Sequence, residues 1–399
     1  MTNIKDNFLK SHNYIFIIII FCLPKIDLIN IPNYHQGIRL EDILLYIIFF
    51  LLLLSNRFFF KREDIGSNFI LFFPYLFFVY IISFYIIDRT PSLAIIIRYL
   101  QYIVLIIYIS KINIEKKFIN KICYYLFLIN CLLVFFQANG IIGIFSSVGY
   151  ILPSKIENSR YAGLYGGSWE LANAVIIIFY IITTDKDLKP ITFVLFLITT
   201  FFLILETKTK TAMFAFVISL LFKYKNYLIR KKTIIIALIF LPVIFFYFEI
   251  TNYNKNLFLE KLFKIDFKYV YKIFFDFFIN QTYHELTDFN RDYWSLIYRT
   301  KHWEFSYSVF LSSLPSMFLG TISTEIYYDS LILRILFNFG IIGSIIILFL
   351  VLRNIPIYFL VYLFVSGLTL DILVSFKLFS LILLFFYSLK PQRKNDFRN

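Results

Sequence analysis

Residues 341–352 read IIGSIIILFLVL, a run without one charged side chain. Carried back to residue 329, it is long enough to cross a hydrocarbon core, which takes about 20 mostly apolar residues in a helix. Similar runs stand at 14–23 (YIFIIIIFCL) and 43–54 (ILLYIIFFLLLL). Across its 399 residues the chain is 60% hydrophobic and only 16% charged, with a mean hydropathy of +0.76. Soluble domains carry roughly 45–50% apolar and about 25% charged residues. A water-soluble globule is excluded, and the runs predict an all-α integral membrane protein.

Spans are predicted near 13–31, 39–56, 67–87, 91–110, 119–138, 162–184, 190–206, 209–222, 233–250, 329–352, 355–370 and 371–389, about twelve transmembrane helices. The connecting loops set the orientation. Lys5 and Lys10; Arg57, Lys61 and Arg62; Lys111, Lys116, Lys117 and Lys121; Lys186 and Lys189; Lys223, Lys225, Arg230, Lys231 and Lys232; Arg353; and Lys390, Arg393, Lys394 and Arg398 all fall on one side. The intervening short loops carry far fewer cations, which predicts cytoplasmic termini by the positive-inside rule. Three parts follow. Residues 1–250 hold the first nine spans, 251–328 form one large loop on the far side, and 329–399 hold the last three spans and a basic tail. Aromatic and amphipathic stretches in the loop, at Tyr293-Trp294 and 303–310, predict short helices lying along the membrane surface. No internal or inverted repeat of the kind many transporters carry stands out.

The net charge of +14 is explained mostly by that loop bias, so no nucleic-acid partner is expected. Cys22, Cys123 and Cys131 lie in apolar runs without metal-ligand spacing and read as small hydrophobes. The four histidines are scattered, so no metal site and no cofactor are expected. Residues 1–10 form a short basic lead into the first span with no small-residue cleavage site after it, so no cleaved signal peptide is expected.

Charges inside a bilayer cost several kcal/mol unless solvated or paired, and they mark pathways or sites. Arg39, Glu41 and Asp42 open the second span, where snorkelling or mutual pairing accounts for them. Asp371 begins the last span, and Lys377, two turns further in, either snorkels or pairs with it. Arg98 and Arg334 each lie about two turns inside the far-side end, deeper than a loop charge. A helix-packing salt bridge is one reading, but acidic residues inside the spans are few. A planar, permanently charged fork suits an anionic ligand such as phosphate, which is put ahead. Arg160, Lys208, Lys210, Arg291 and Arg299 gather at the same level, which points to a polyanionic group such as a lipid diphosphate.

Three segments resemble the O-antigen polymerase (Wzy) family, within the superfamily it shares with O-antigen ligases. The first is Arg160-Tyr161-Ala162-Gly163-Leu164-Tyr165-Gly166-Gly167-Ser168-Trp169-Glu170-Leu171-Ala172. It is similar to the family's Arg-x-x-Gly pattern followed by a small-residue turn and Glu-Leu-Ala. The second is Thr209-Lys210-Thr211-Ala212, with lysine where the family has arginine, which keeps the charge and loses the bidentate fork. The third is Tyr328-Asp329-Ser330-Leu331-Ile332-Leu333-Arg334, followed by Phe339-Gly340-Ile341-Ile342-Gly343. Ligases place a histidine where Asp329 stands, which favours polymerase over ligase.

The resemblance implies a GT-C-like, metal-independent glycosyltransferase in the bacterial inner membrane, with one large periplasmic loop. Its substrates would be undecaprenyl-diphosphate-linked oligosaccharides, and its partners the membrane lipid and a chain-length regulator protein. On that reading Arg98, Arg160, Lys210, Arg291 and Arg334 hold diphosphate. Asp329 is the first candidate for the base or for orienting the acceptor, with Glu170 and Glu325 behind it. An O-antigen ligase and a flippase or transporter of the same lipid-linked oligosaccharide stay open as alternatives. A flippase would spread charge through the whole bilayer depth, whereas here polar features cluster toward one face. A membrane scaffold would leave the Arg160 and Asp329 segments unexplained.

Overall fold

The computed structural model describes residues 72–87, 93–111, 115–146, 149–155, 160–185, 188–228, 266–282, 284–285, 293–321, 330–352, 355–370, 372 and 375–389, with short pieces at 18, 20–21, 27–29, 38–40, 43–47 and 50. The chain is helical. Helices α1 (Phe72–Ile87), α2 (Leu93–Lys111), α3 (Lys116–Ala138), α4 (Ser168–Ile182), α5 (Pro190–Thr207) and α6 (Lys210–Leu228) precede the large loop. The loop contributes α7 (Phe267–Phe275), α8 (Trp294–Leu311) and α9 (Leu314–Leu319), and α10 (Leu331–Leu352), α11 (Ile357–Gly367) and α12 (Phe376–Leu389) follow. Among the described residues, three helices are long and apolar enough to cross a membrane, with shorter apolar helices beside them. The predicted spans at 13–31, 39–56 and 233–250 lie wholly or largely outside the described residues.

Two short antiparallel ladders interrupt the helices. Strands β1 (Asp27–Ile29) and β2 (Ile38–Arg39) pair so that Asp27 stands opposite Arg39. The first predicted span therefore ends in extended backbone rather than helix. Strands β3 (Ile144–Ser146) and β4 (Gly149–Ile151) form the second ladder, just after α3.

Helix α4 is the axis of the bundle. Every residue from Glu170 to Ile182 is buried, as a helix that is apolar all round must be. It packs against α3, α5, α6 and α12. Its few polar groups are paired: the Tyr362 hydroxyl donates to Asn173 Oδ1 at 2.5 Å, and Tyr180 bonds Ser219. Around this core the outer faces are apolar too, with Tyr85, Phe135, Ile191, Phe214, Phe349 and Ile357 exposed. A soluble monomer does not present so much contiguous apolar surface to water.

Helices α3 to α6, each with the next in sequence, and α11 with α12, run antiparallel, so the helix ends gather at two poles. At one pole Lys116 Nζ donates to Thr184 O (3.2 Å), Asn120 Nδ2 to Asp185 Oδ2 (3.2 Å) and Lys223 Nζ to Thr183 Oγ1 (2.5 Å). The Lys223 ammonium also lies over the rings of Phe179, Tyr180, Tyr224 and Tyr358. Lys116 and Lys223, two of the loop lysines expected on one side, therefore sit at one pole. The opposite pole carries Arg160, Lys210 and Leu331.

The large loop packs down the side of α10. Helix α10 breaks at Gly340, whose φ is +61°, nine residues and about 14 Å past Leu331. Gly320, after α9, meets it backbone to backbone, and Thr321 N donates to Phe337 O at 2.9 Å. The Tyr75 hydroxyl of α1 lies 3.0 Å from Leu319 O and 2.5 Å from Phe339 O. Gly343 leaves the room for that ring, since a Cβ there would meet Tyr75 Oη at 2.7 Å. Ser344 Oγ donates to Gly340 O at 2.6 Å. Interrupted helix in apolar surroundings needs such substitutes for its lost backbone bonds. The stretch 303–310, expected at the membrane surface, lies in α8 and has two sides, with Phe305 and Ser308 exposed on one. On the other, Trp303 and Phe310 are buried with Phe277 and Phe337.

Candidate functional site

The Arg160–Ala172 segment is a loop until Ser168, where α4 begins. Two amides of α3 hold it. Gln137 Oε1 accepts from Ala162 N (3.1 Å) and Gly163 N (3.0 Å), while its Nε2 donates to Gly143 O (3.1 Å). Asn130 Oδ1 accepts from Leu164 N at 3.0 Å. Gly163 is required here: its φ is +57°, and a Cβ would run into Asn130 Oδ1. The loop then turns into α4 through Gly167, the residue that caps the helix.

Glu170 closes that turn. Its Oε2 accepts from Gly166 N at 3.1 Å, and only 1% of the residue is exposed. A glutamate at the third helical position reaching back to a preceding N–H is a capping contact, favoured by the positive end of the helix dipole. The candidate base Glu170 thus has a structural task at the start of α4.

The other two motifs reach the same place. Thr211, beside Lys210 at the start of α6, bonds Thr369 between their hydroxyls at 2.9 Å. Ser330 caps α10, accepting from Leu333 N at 3.4 Å, and donates to Gly367 O at 3.0 Å. Leu331 N donates to Leu370 O at 3.4 Å. From the first turn of α12, Lys377 Nζ donates to Leu164 O at 3.5 Å and lies 5.6 Å from the centre of the Tyr165 ring. One connection, from Gly367 to Lys377, therefore ties together the segments around Leu164, Thr211 and Ser330.

Of the cations named from the sequence, Arg160 and Lys210 are exposed at this pole. Arg334, one turn into α10, is half-buried with its guanidinium 5.8 Å over the Tyr99 ring, and Asn338 Nδ2 donates to the Tyr99 hydroxyl at 2.9 Å. Arg98 precedes Tyr99 in the sequence of α2, and its side chain lies outside what the structure describes. Arg291, Glu325 and Asp329 lie outside the described residues; Asp329 is the residue before the Ser330 cap.

Sequence reasoning missed the α11–α12 connection as the organising element. Lys377 was conspicuous as an intramembrane charge, but its placement under Leu164 joins residues 213 positions apart. Thr369 and Gly367 carry no sequence signal of their own. Gln137 and Asn130 were legible only as polar residues in an apolar helix.

Fold and site define a helical chain whose apolar helices suit a membrane and whose conspicuous loop, cap and cation segments gather at one pole. No protein family, curated protein or solved structure matches the chain.

Proposed function

We propose that the chain is a membrane-embedded, metal-independent glycosyltransferase that joins undecaprenyl-diphosphate-linked oligosaccharide repeat units into O-antigen or a related surface polysaccharide. It would work at the periplasmic face of the bacterial inner membrane, with about twelve spans, cytoplasmic termini and the 251–328 loop outside. The observation that carries this reading is the meeting of three distant segments. The stretches around 160–172, 209–212 and 328–334, which together resemble the polymerases, bond to the single connection from Gly367 to Lys377.

In the reaction, a hydroxyl oxygen of the acceptor unit attacks the anomeric carbon of the donor. The bond from that carbon to the diphosphate oxygen breaks, the hydroxyl proton passes to a carboxylate, and the lipid diphosphate leaves as an anion. Arg160 and Lys210, exposed at the pole, meet the leaving charge, with Arg98, Arg291 and Arg334 as further candidates. Fixed cations aimed at developing charge contribute roughly 100- to 1000-fold each. Asp329 takes the base role ahead of Glu325, since Glu170 is engaged in capping α4.

Substitution Arg160→Ala or Asp329→Asn, with each variant present in the membrane at the wild-type level, should abolish polymer and leave single repeat units on the lipid carrier. Full-length polymer from both variants would overturn the reading.

A further inference from the structure

We propose that α7 docks on an anionic lipid surface at the edge of the bundle. The helix has two unlike faces. Ile273 is buried, and Phe277 in the following turn is buried with Trp303 and Phe310, with Phe274 packed against them. The other face carries Lys268, Tyr271, Lys272 and Phe275 at the three- and four-residue spacings of one helix side, and Ile279 follows in the π-helical turn Asp276–Asn280. Tyr271 is 65% exposed, Phe275 41% and Ile279 65%. Water is a poor partner for that much apolar side chain.

Charge selects the occupant. Lys268 and Lys272 are exposed within the apolar strip, so the face offers hydrocarbon and ammonium together. Of the two acids flanking the helix, Asp266 accepts from Lys268 N at its start, and Asp276 is engaged by His284 and Asn280. A basic, aromatic helix face of this kind sits at the boundary between anionic headgroups and acyl chains. Lysine stems lie along the apolar layer while their ammonium groups reach phosphate, and tyrosine is favoured at that depth.

Position agrees with charge. Phe277, just past α7, shares one cluster with Phe337 of α10. Five residues further along α10, just past the break at Gly340, Ile342 opens a run of exposed apolar residues that includes Ile345, Leu348 and Phe349. The helix therefore lies where the apolar outer belt of the bundle begins. It does not depend on the reaction proposed above.

The test uses the full-length chain without cysteines, in nanodiscs of one copy each, labelled through Tyr271→Cys or Ile279→Cys with a polarity-sensitive fluorophore. In discs containing anionic phospholipid, a headgroup-level nitroxide lipid should quench both labels more strongly than an aqueous quencher. Each lysine near an anionic surface shifts docking about fivefold. Lys268→Gln with Lys272→Gln should therefore return the labels toward the aqueous quencher, as should discs of purely zwitterionic lipid. Quenching from water in every lipid would overturn the proposal. So would lipid quenching indifferent to charge, or shielding from both quenchers that appears only with two copies per disc.

Discussion

Gly320 and Gly340 meet backbone to backbone, each with φ in the left-handed region, +82° and +61°. The contact lets α9 lie against the break in α10, and it fixes where the large loop returns to the bundle. Any side chain at either position faces both an unfavourable φ and main-chain atoms that cannot give way.

Gly320→Ala and Gly340→Ala should each cost at least about 2 kcal/mol, more than a left-handed φ costs alone. The check is thermal unfolding of the detergent-purified chain. A melting temperature within error of wild type for both variants would contradict the packing.

Tyr75→Phe removes the hydroxyl that serves the carbonyls of Leu319 and Phe339 but keeps the ring against Gly343. A loss of about 1–2 kcal/mol is expected, the scale of a hydrogen bond between membrane helices. Gly343→Ala should cost more, because the ring itself must move. The order of the two melting temperatures is the measurement.

Gln137→Leu strands the N–H groups of Ala162 and Gly163, and buried donors left unpaired cost about 1–3 kcal/mol each. Proteolytic nicking within 160–167 should rise along with the drop in melting temperature. Glu170→Gln preserves an acceptor oxygen for Gly166 N and should cost under about 1 kcal/mol. On the proposed function it should also leave polymer formation intact, and loss of polymer in a stable Glu170→Gln protein would return Glu170 to the role of base.

Lys377→Met keeps the apolar stem and removes the cation beneath Leu164 and Tyr165. A destabilisation of about 1–2 kcal/mol follows from the lost carbonyl and ring contacts. Increased hydrogen exchange in 160–167, with α11 unchanged, would locate the effect. Unchanged exchange there would remove Lys377 from the support of the loop.

In the loop, Asp276 is held below the ordinary carboxylate range, first by its hydrogen bond with His284, against the opposing effect of desolvation, and further by Asn280 and the charges of His284 and Lys272. A carboxyl lowered on folding stabilises the fold above its unfolded pKa of 3.8. That contribution is lost as pH falls below 3.8 and through the lower folded value. Acidification in that window should therefore loosen the 276–284 turn, seen as faster proteolysis by an acid protease. Asp276→Asn should show the looser turn already at neutral pH and little further change on acidification.

Much of the fold was legible because burial in lipid depends on residue type summed along a run. Helices α1 to α6 and α10 to α12 fall on predicted spans, with ends shifted by a few residues. The shift at 162–167 has a specific cause: Gly163, Gly166 and Gly167 allow a loop that Gln137 and Asn130 hold, so α4 starts only at Ser168. Aromatic density in 303–310 did not show which of its residues turn inward; clustering with Phe337 buries Trp303 and Phe310 and leaves Phe305 exposed.

By itself, the sequence determined that this chain is helical and built for an apolar solvent, because transfer free energy and helix period are local properties. It also marked Arg98 and Arg334 as charges too deep for a loop, with Arg160 and Lys210 at the same level. Only the tertiary structure decided that the Leu164, Thr211 and Ser330 segments share the connection from Gly367 to Lys377, and that Glu170 caps a helix. Those relations rest on single hydrogen bonds between residues far apart in the chain, and no local pattern encodes which distant carbonyl a buried lysine will reach.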